Sequence, residues 1–119
     1  LKADFVVLAV PASPQTHHLI DGQALAQMRP NAHLINIARG DVVSEAALIH
    51  ALQSRQIAGA GLDVYEFEPK IPSALTALEN VVLLPHLGTA ALEVRQAMGQ
   101  MAVNNLIAHL DDQPLPNPV

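Results

Sequence analysis

Apolar positions follow two rhythms along the chain. Phe5-Val6-Val7-Leu8-Ala9-Val10 is an unbroken apolar run rich in β-branched residues, the pattern of a strand covered on both faces. Pro11, Ser13 and Pro14 then impose a loop. Asp21 can cap a short helix through Met28, which Pro30 stops. His33-Leu34-Ile35-Asn36-Ile37-Ala38 reads as a second strand ending at Arg39-Gly40. Ser44 can cap a helix over residues 45–54, with Leu48, Ala51 and Leu52 on one side. Residues 58–64 read as a third strand, in which Gly59 and Gly61 let a neighbour come close. A loop carrying Glu66, Glu68, Pro69 and Pro72 follows, then a fourth strand, Val81-Val82-Leu83-Leu84, closed by Pro85. Helical rhythm returns from about residue 89 to residue 110, ahead of an extended, proline-rich tail.

Buried strands separated by helices need crossover connections, hence a mainly parallel sheet and an α/β architecture. The last helix carries two apolar stripes. Ala90, Val94, Ala97, Met98, Met101 and Ala102 share one face, opposite Glu93, Gln96, Gln100 and Asn104, while Val103, Leu106, Ile107 and Leu110 point another way. Such a helix either packs against two bodies or is wholly buried.

Composition narrows the function classes. The 119 residues are 50% hydrophobic and 14% charged, with a formal net charge of -5. That balance excludes a disordered solvating segment and, with no basic run, argues against nucleic acid as a partner. No cysteine is present, so disulfides, thiolate chemistry and cysteine-rich zinc sites are impossible; a cytoplasmic setting fits. No apolar stretch approaches the ~18 residues of a membrane span, and Asp4 beside the first run is unlike a secretory leader. A chain that opens on Leu1 and enters a strand at once is expected to be an internal piece of a longer protein.

Several short patterns carry little. Gly59-Ala60-Gly61 enters a strand, where a dinucleotide fingerprint must open a helix, and its third glycine position is Val64. Arg39-Gly40-Asp41 spells an adhesion tripeptide of a kind that recurs by chance. None of the histidines 17, 18, 33, 50, 86 and 109 pairs with another at helical metal-ligand spacing, so no metal site is expected. His17 and His18 are expected to face solvent from a polar loop. No serine sits in a nucleophile elbow.

Placing residues by strand end is more informative, because an open α/β sheet binds ligands outside the carboxyl ends of its strands. Arg39 follows the second strand, Glu68 lies a few residues beyond the third, and His86 follows the fourth. Parallel neighbours lie about 4.8 Å apart, so such residues can converge on a small ligand. Arginine offers a fork of donors for a carboxylate and an adjacent carbonyl. A carboxylate beside an imidazole favours the imidazolium, an acid that can protonate a carbonyl oxygen and take the proton back in reverse. The alternative is that all three are merely solvated strand caps of a structural half-domain.

Three blocks carry a resemblance: Ile35-Asn36-Ile37-Ala38-Arg39-Gly40, then Ala58-Gly59-Ala60-Gly61-Leu62-Asp63-Val64-Tyr65-Glu66-Phe67-Glu68-Pro69, then Val82-Leu83-Leu84-Pro85-His86-Leu87-Gly88-Thr89. In this order and spacing they resemble the D-isomer-specific 2-hydroxyacid dehydrogenases, most closely the glyoxylate/hydroxypyruvate reductase branch. The resemblance implies that residues 1–88 are the second half of a Rossmann-type doubly wound parallel sheet. Residues 89–119 would be the long helix and tail returning to a substrate domain. It implies Arg39, Glu68 and His86 as catalytic residues, with Glu68 rather than Glu66 as the partner of His86. Cofactor contacts would come from Val10, Pro11, Thr16, Ile37, Ala38, Arg39, Asp63, His86 and Gly88. The cofactor would be NAD or NADP, and the reaction the reduction of a small 2-oxo acid to the D-2-hydroxy acid, with His86 delivering the proton, in a cytoplasmic homodimer. A non-catalytic, corepressor-like binder of the same cofactor is the alternative within the fold.

Overall fold

A computed structural model describes residues 2–118. The chain divides into two compact units, Leu1–His86 and Leu87–Val119.

The first unit is built on a parallel sheet of four strands, β1 (Phe5–Leu8), β2 (His33–Asn36), β3 (Gly59–Leu62) and β4 (Val81–Leu83), in the order β1-β2-β3-β4. Helix α1 (Gly22–Ala26) connects β1 to β2, α2 (Glu45–Gln53) connects β2 to β3, and the single turn α3 (Ser73–Thr76) precedes β4. Each crossover steps the same way across the sheet. Since such crossovers are right-handed, one-way winding places the connecting helices on one face. Burial along the strands agrees. Register aligns Leu8, Asn36, Leu62 and Leu83 in one row and Val6, Leu34, Ala60 and Val81 in another, and these rows hold every buried strand residue except Gly59. Leu25, Leu34, Leu48, Leu52, Ile57 and Leu75 form the fully buried centre, each worth about 2 kcal/mol of transfer free energy.

The other face corrects the expectation for the first strand. Phe5 and Val7 are 65% and 55% exposed, and Val82 across the sheet is 63% exposed. The apolar run therefore forms a strand covered on one face, not two. All four strands also stop short of the apolar runs that mark them: residues 9–10, 37–38, 63–64 and 84 lie beyond the paired segments, at the lip of the sheet. Gly59 meets its expectation: a Cβ there would come within 2.7 Å of the Asn80 carbonyl.

Local signals hold in part. The Asp21 carboxylate accepts from the Ala24 N–H at 2.8 Å and caps α1. Ser44 occupies the N-cap position of α2, but its side chain makes no capping bond. The Glu66 carboxylate accepts from the Glu45 N–H instead, at 3.1 Å. A one-turn 3-10 helix at Gly40–Val42 lies in what the sequence presents as a plain loop.

In the second unit, α4 (Leu92–Leu110) starts later than its apolar rhythm suggests and contains no buried residue. Wholly buried it is not; both apolar stripes are open, with Met98 51% and Leu106 58% exposed. The tail folds back on the helix through Asn105 and Asn117, whose side chains bond at 3.2 Å.

Candidate functional site

The carboxyl ends of β1 and β2 leave an open cleft of about 510 Å³, walled by residues 9–12 and 37–39. Its shape comes from Asn36, a buried amide at the last position of β2. The Asn36 Nδ2 donates to the Arg39 carbonyl and its Oδ1 accepts from the Ala38 N–H, both at 3.0 Å. One side chain thus folds the Ile37-Ala38-Arg39 turn. Val10, Pro11, Ile37 and Ala38 offer the cleft small apolar surface and main chain, a wall suited to one side of a flat ring. Thr16 lies off that wall, its hydroxyl donating to the Pro11 carbonyl at 2.8 Å to close the following loop.

A second hollow, about 320 Å³, adjoins the first through Arg39 and is lined also by Gly40, Asp41, Tyr65, Glu66, Glu68 and His86. Here the structure brings Glu68 and His86 together: the imidazole Nδ1 lies 2.9 Å from the Glu68 Oε2. The other oxygen, Oε1, accepts from the Tyr65 N–H at 2.9 Å. Burial works to raise the Glu68 pKa, but the hydrogen bonds from His86 and Tyr65 and the charges of His86 and Arg39 outweigh it. The carboxyl is held below the ordinary carboxylate range. His86 occupies the left-handed region with φ 55°, a conformation that costs a non-glycine residue energy and persists where the surroundings enforce it.

Arg39 lines both hollows, and one donor of its fork is already engaged. Its Nη1 donates to its neighbour's carbonyl, at Ala38, at 2.7 Å. Gly40 follows it against the Tyr65–Glu66 peptide so closely that a Cβ would fall 1.9 Å from the Tyr65 carbonyl carbon. That contact fixes the Arg39 loop against the loop bearing Glu68. Asp63 is buried just past β3, its N–H donating to the Asn36 carbonyl at 3.0 Å. Gly88 lies in the second unit.

Glu66 is committed elsewhere. Its Oε1 lies 2.8 Å from the His18 Nε2, while Oε2 caps α2. His18 is thus half-buried and paired rather than solvent-facing; His17 stacks on it with ring centroids 4.0 Å apart and is exposed as expected. Burial, with the Glu66 charge added and the Glu66 N–H opposing, raises the pKa of Glu45 at the start of α2. Reading the sequence alone singles out no role for His18, Asn36 or the Tyr65 hydroxyl. Their partners lie on other elements, and only a buried polar residue next to a strand end hints at them.

Residues 1–88 match the family model of the D-isomer specific 2-hydroxyacid dehydrogenase, NAD binding domain. The chain is 45% identical over 118 residues to a hydroxyphenylpyruvate reductase of Plectranthus scutellarioides, covering 99% of this chain and 38% of that protein. It is 51% identical over 107 residues to a glyoxylate reductase of Pyrococcus furiosus, covering 90% and 32% respectively. The fold superposes with a TM-score of 0.94 and 42% identity on the NADPH-dependent glyoxylate/hydroxypyruvate reductase of Sinorhizobium meliloti in complex with NADP and malonate, over 98% of this chain and 36% of that one. The chain therefore spans between 32% and 38% of these relatives. Strand order, lip geometry and these matches agree: the chain belongs to the D-isomer-specific 2-hydroxyacid dehydrogenases, a family whose cofactor is NAD or NADP, and carries their NAD-binding domain match over residues 1–88.

Proposed function

We propose that this chain is the cofactor-side part of an enzyme that reduces a small 2-oxo acid of the glyoxylate or hydroxypyruvate type to the D-2-hydroxy acid. The observation that carries the reading is the Glu68–His86 bond of 2.9 Å at the lip of the sheet, beside a hollow that Arg39 also lines. When bound, a nicotinamide cofactor would supply the hydride chemistry at the carbonyl carbon, in either direction. Val10, Pro11, Ile37 and Ala38 would hold one side of that ring, with Asp63 and Gly88 as further contacts and Thr16 supporting the loop beneath it.

The chain's own groups supply the rest. With Glu68 on Nδ1, the other ring nitrogen of His86, Nε2, is the one that gives its proton to the carbonyl oxygen and recovers it in the oxidation. The Glu68 carboxylate stabilises the charged ring and fixes its orientation. Arg39 spends one donor on Ala38; the remainder of its five-donor fork can take the substrate carboxylate and polarise the carbonyl beside it. By the same reading residues 89–119 return the chain to a substrate domain, and the enzyme is a cytoplasmic homodimer.

The test is turnover of glyoxylate and hydroxypyruvate by the full-length gene product with NADH and NADPH. His86→Gln and Arg39→Ala should each lower kcat/KM roughly 10²-fold or more, with the cofactor still bound. Absence of turnover on both acids with both cofactors, or unchanged turnover in His86→Gln, overturns the assignment.

A further inference from the structure

We propose that Tyr65 is a positioning residue for the Glu68–His86 pair, its hydroxyl holding the β4 exit that presents His86 while its backbone N–H holds Glu68. Its part in turnover rests on the function proposed above; its structural part does not.

Glu68 and His86 arrive from different strand ends. The β3–β4 ladder ends at Leu62 and Leu83, followed by one more bond from the Leu84 N–H to the Leu62 carbonyl at 2.8 Å. Beyond that point Tyr65 takes over. Its ring is buried, 6% exposed, and its hydroxyl donates to the Leu84 carbonyl at 2.7 Å. The Leu62 carbonyl, at 3.3 Å, is the poorer acceptor for the single phenolic proton. Leu84 is thereby held through both its N–H and its carbonyl. Pro85 follows with a fixed φ, and His86 comes next in the left-handed region. With so little freedom between them, the place of the imidazole follows from the place of Leu84.

The other end of the residue acts on the partner. The Tyr65 N–H occupies the Glu68 Oε1, which turns Oε2 toward the His86 Nδ1, and both bonds measure 2.9 Å. Any residue would supply that N–H, and phenylalanine would fill the same space. Only the hydroxyl reaches Leu84. Burial first, then the nearby Asp63 carboxylate, with smaller contributions from Glu68 and Glu45, raises the Tyr65 pKa against the opposing Leu84 bond. The phenol accordingly keeps its proton and stays a donor.

Tyr65→Phe in the full-length gene product is the test. Glu68 faces His86 from the β4 exit, Arg39 from the β2 exit and the Tyr65 N–H from its own loop. Its lowered pKa means that the stability it contributes is present above the ordinary carboxylate range and lost as pH falls through the folded value. A loosened His86 bond moves that value back up. In the variant, the Glu68 carboxyl followed by ¹³C NMR should titrate ~0.5 pH unit or more higher. The acid limb of kcat/KM should move up with it and kcat fall about tenfold, while the KM for the cofactor stays the same. A Glu68 titration that does not move overturns the proposal. If the unaltered protein turns over neither acid, the proposed function fails, and the Glu68 titration alone decides the role of Tyr65. Should Tyr65→Phe not fold, the Tyr65 hydroxyl proton of the unaltered protein decides: slow exchange with water is expected, and exchange like that of an exposed phenol overturns the proposal.

Discussion

The two faces of the sheet are made of the same kinds of residue and meet opposite fates. Leu34 and Leu62 are buried under the helices, whereas Phe5, Val7 and Val82, on the same strands or their neighbours, are more than half exposed. Apolarity does not distinguish them; winding direction does. Because β1 to β4 are laid down in one direction, their crossovers shelter one face only. An apolar run therefore reports that both faces are suited to cover, and the topology of these residues supplies cover to one.

The covered face is the place for the largest effect. Leu34→Ala in the 119-residue chain removes a side chain with no exposed surface from the centre of the sheet, and should cost about 3 kcal/mol of unfolding free energy. Chemical denaturation would show this as a lower midpoint with an unchanged slope. A cost below about 1 kcal/mol would mean that the helices do not pack there as tightly as the burial indicates.

Much of this was legible beforehand, and the exceptions share a cause. The four strands, their order along the chain, and α1, α2 and α4 follow from runs of apolar residues and from local signals such as Asp21 and Pro30. Gly40–Val42 and Ser73–Thr76 are single turns, too short for any periodicity to register. At the site, Arg39, Glu68 and His86 stand out because a strand end is recognisable in sequence. Only the family resemblance separates Glu68 from Glu66 as the neighbour of His86; the geometry adds that Glu66 is occupied by His18 and α2. The Asn36 amide and the Tyr65 hydroxyl act through partners on other segments. A hydrogen bond across 19 residues, as between Tyr65 and Leu84, leaves no trace in local pattern.

Asn36 sharpens the comparison, since it puts a polar group on the covered face. Its amide satisfies the Ala38 N–H and the Arg39 carbonyl, so Asn36→Ala leaves both without that partner and should cost about 2 kcal/mol. In the full-length gene product the Arg39 turn should also lose definition. On the proposed function, the KM for the 2-oxo acid is then expected to rise about tenfold, with cofactor affinity less affected. Unchanged KM with reduced stability would confine Asn36 to the fold.

The smallest effect belongs to the open face. Val82 projects from the edge strand β4 and is 63% exposed, so Val82→Lys in the 119-residue chain removes little buried contact and should change stability by no more than about 0.5 kcal/mol. Its consequence lies between molecules. An apolar face bounded by unpaired strand edges invites association, and a lysine there breaks the patch and repels a second copy. The soluble concentration of the chain, measured by sedimentation after a fixed incubation, should therefore rise while the unfolding midpoint stays in place. If Val82→Lys lowers stability as much as Leu34→Ala, the face is covered in solution, and the contrast between the two faces disappears.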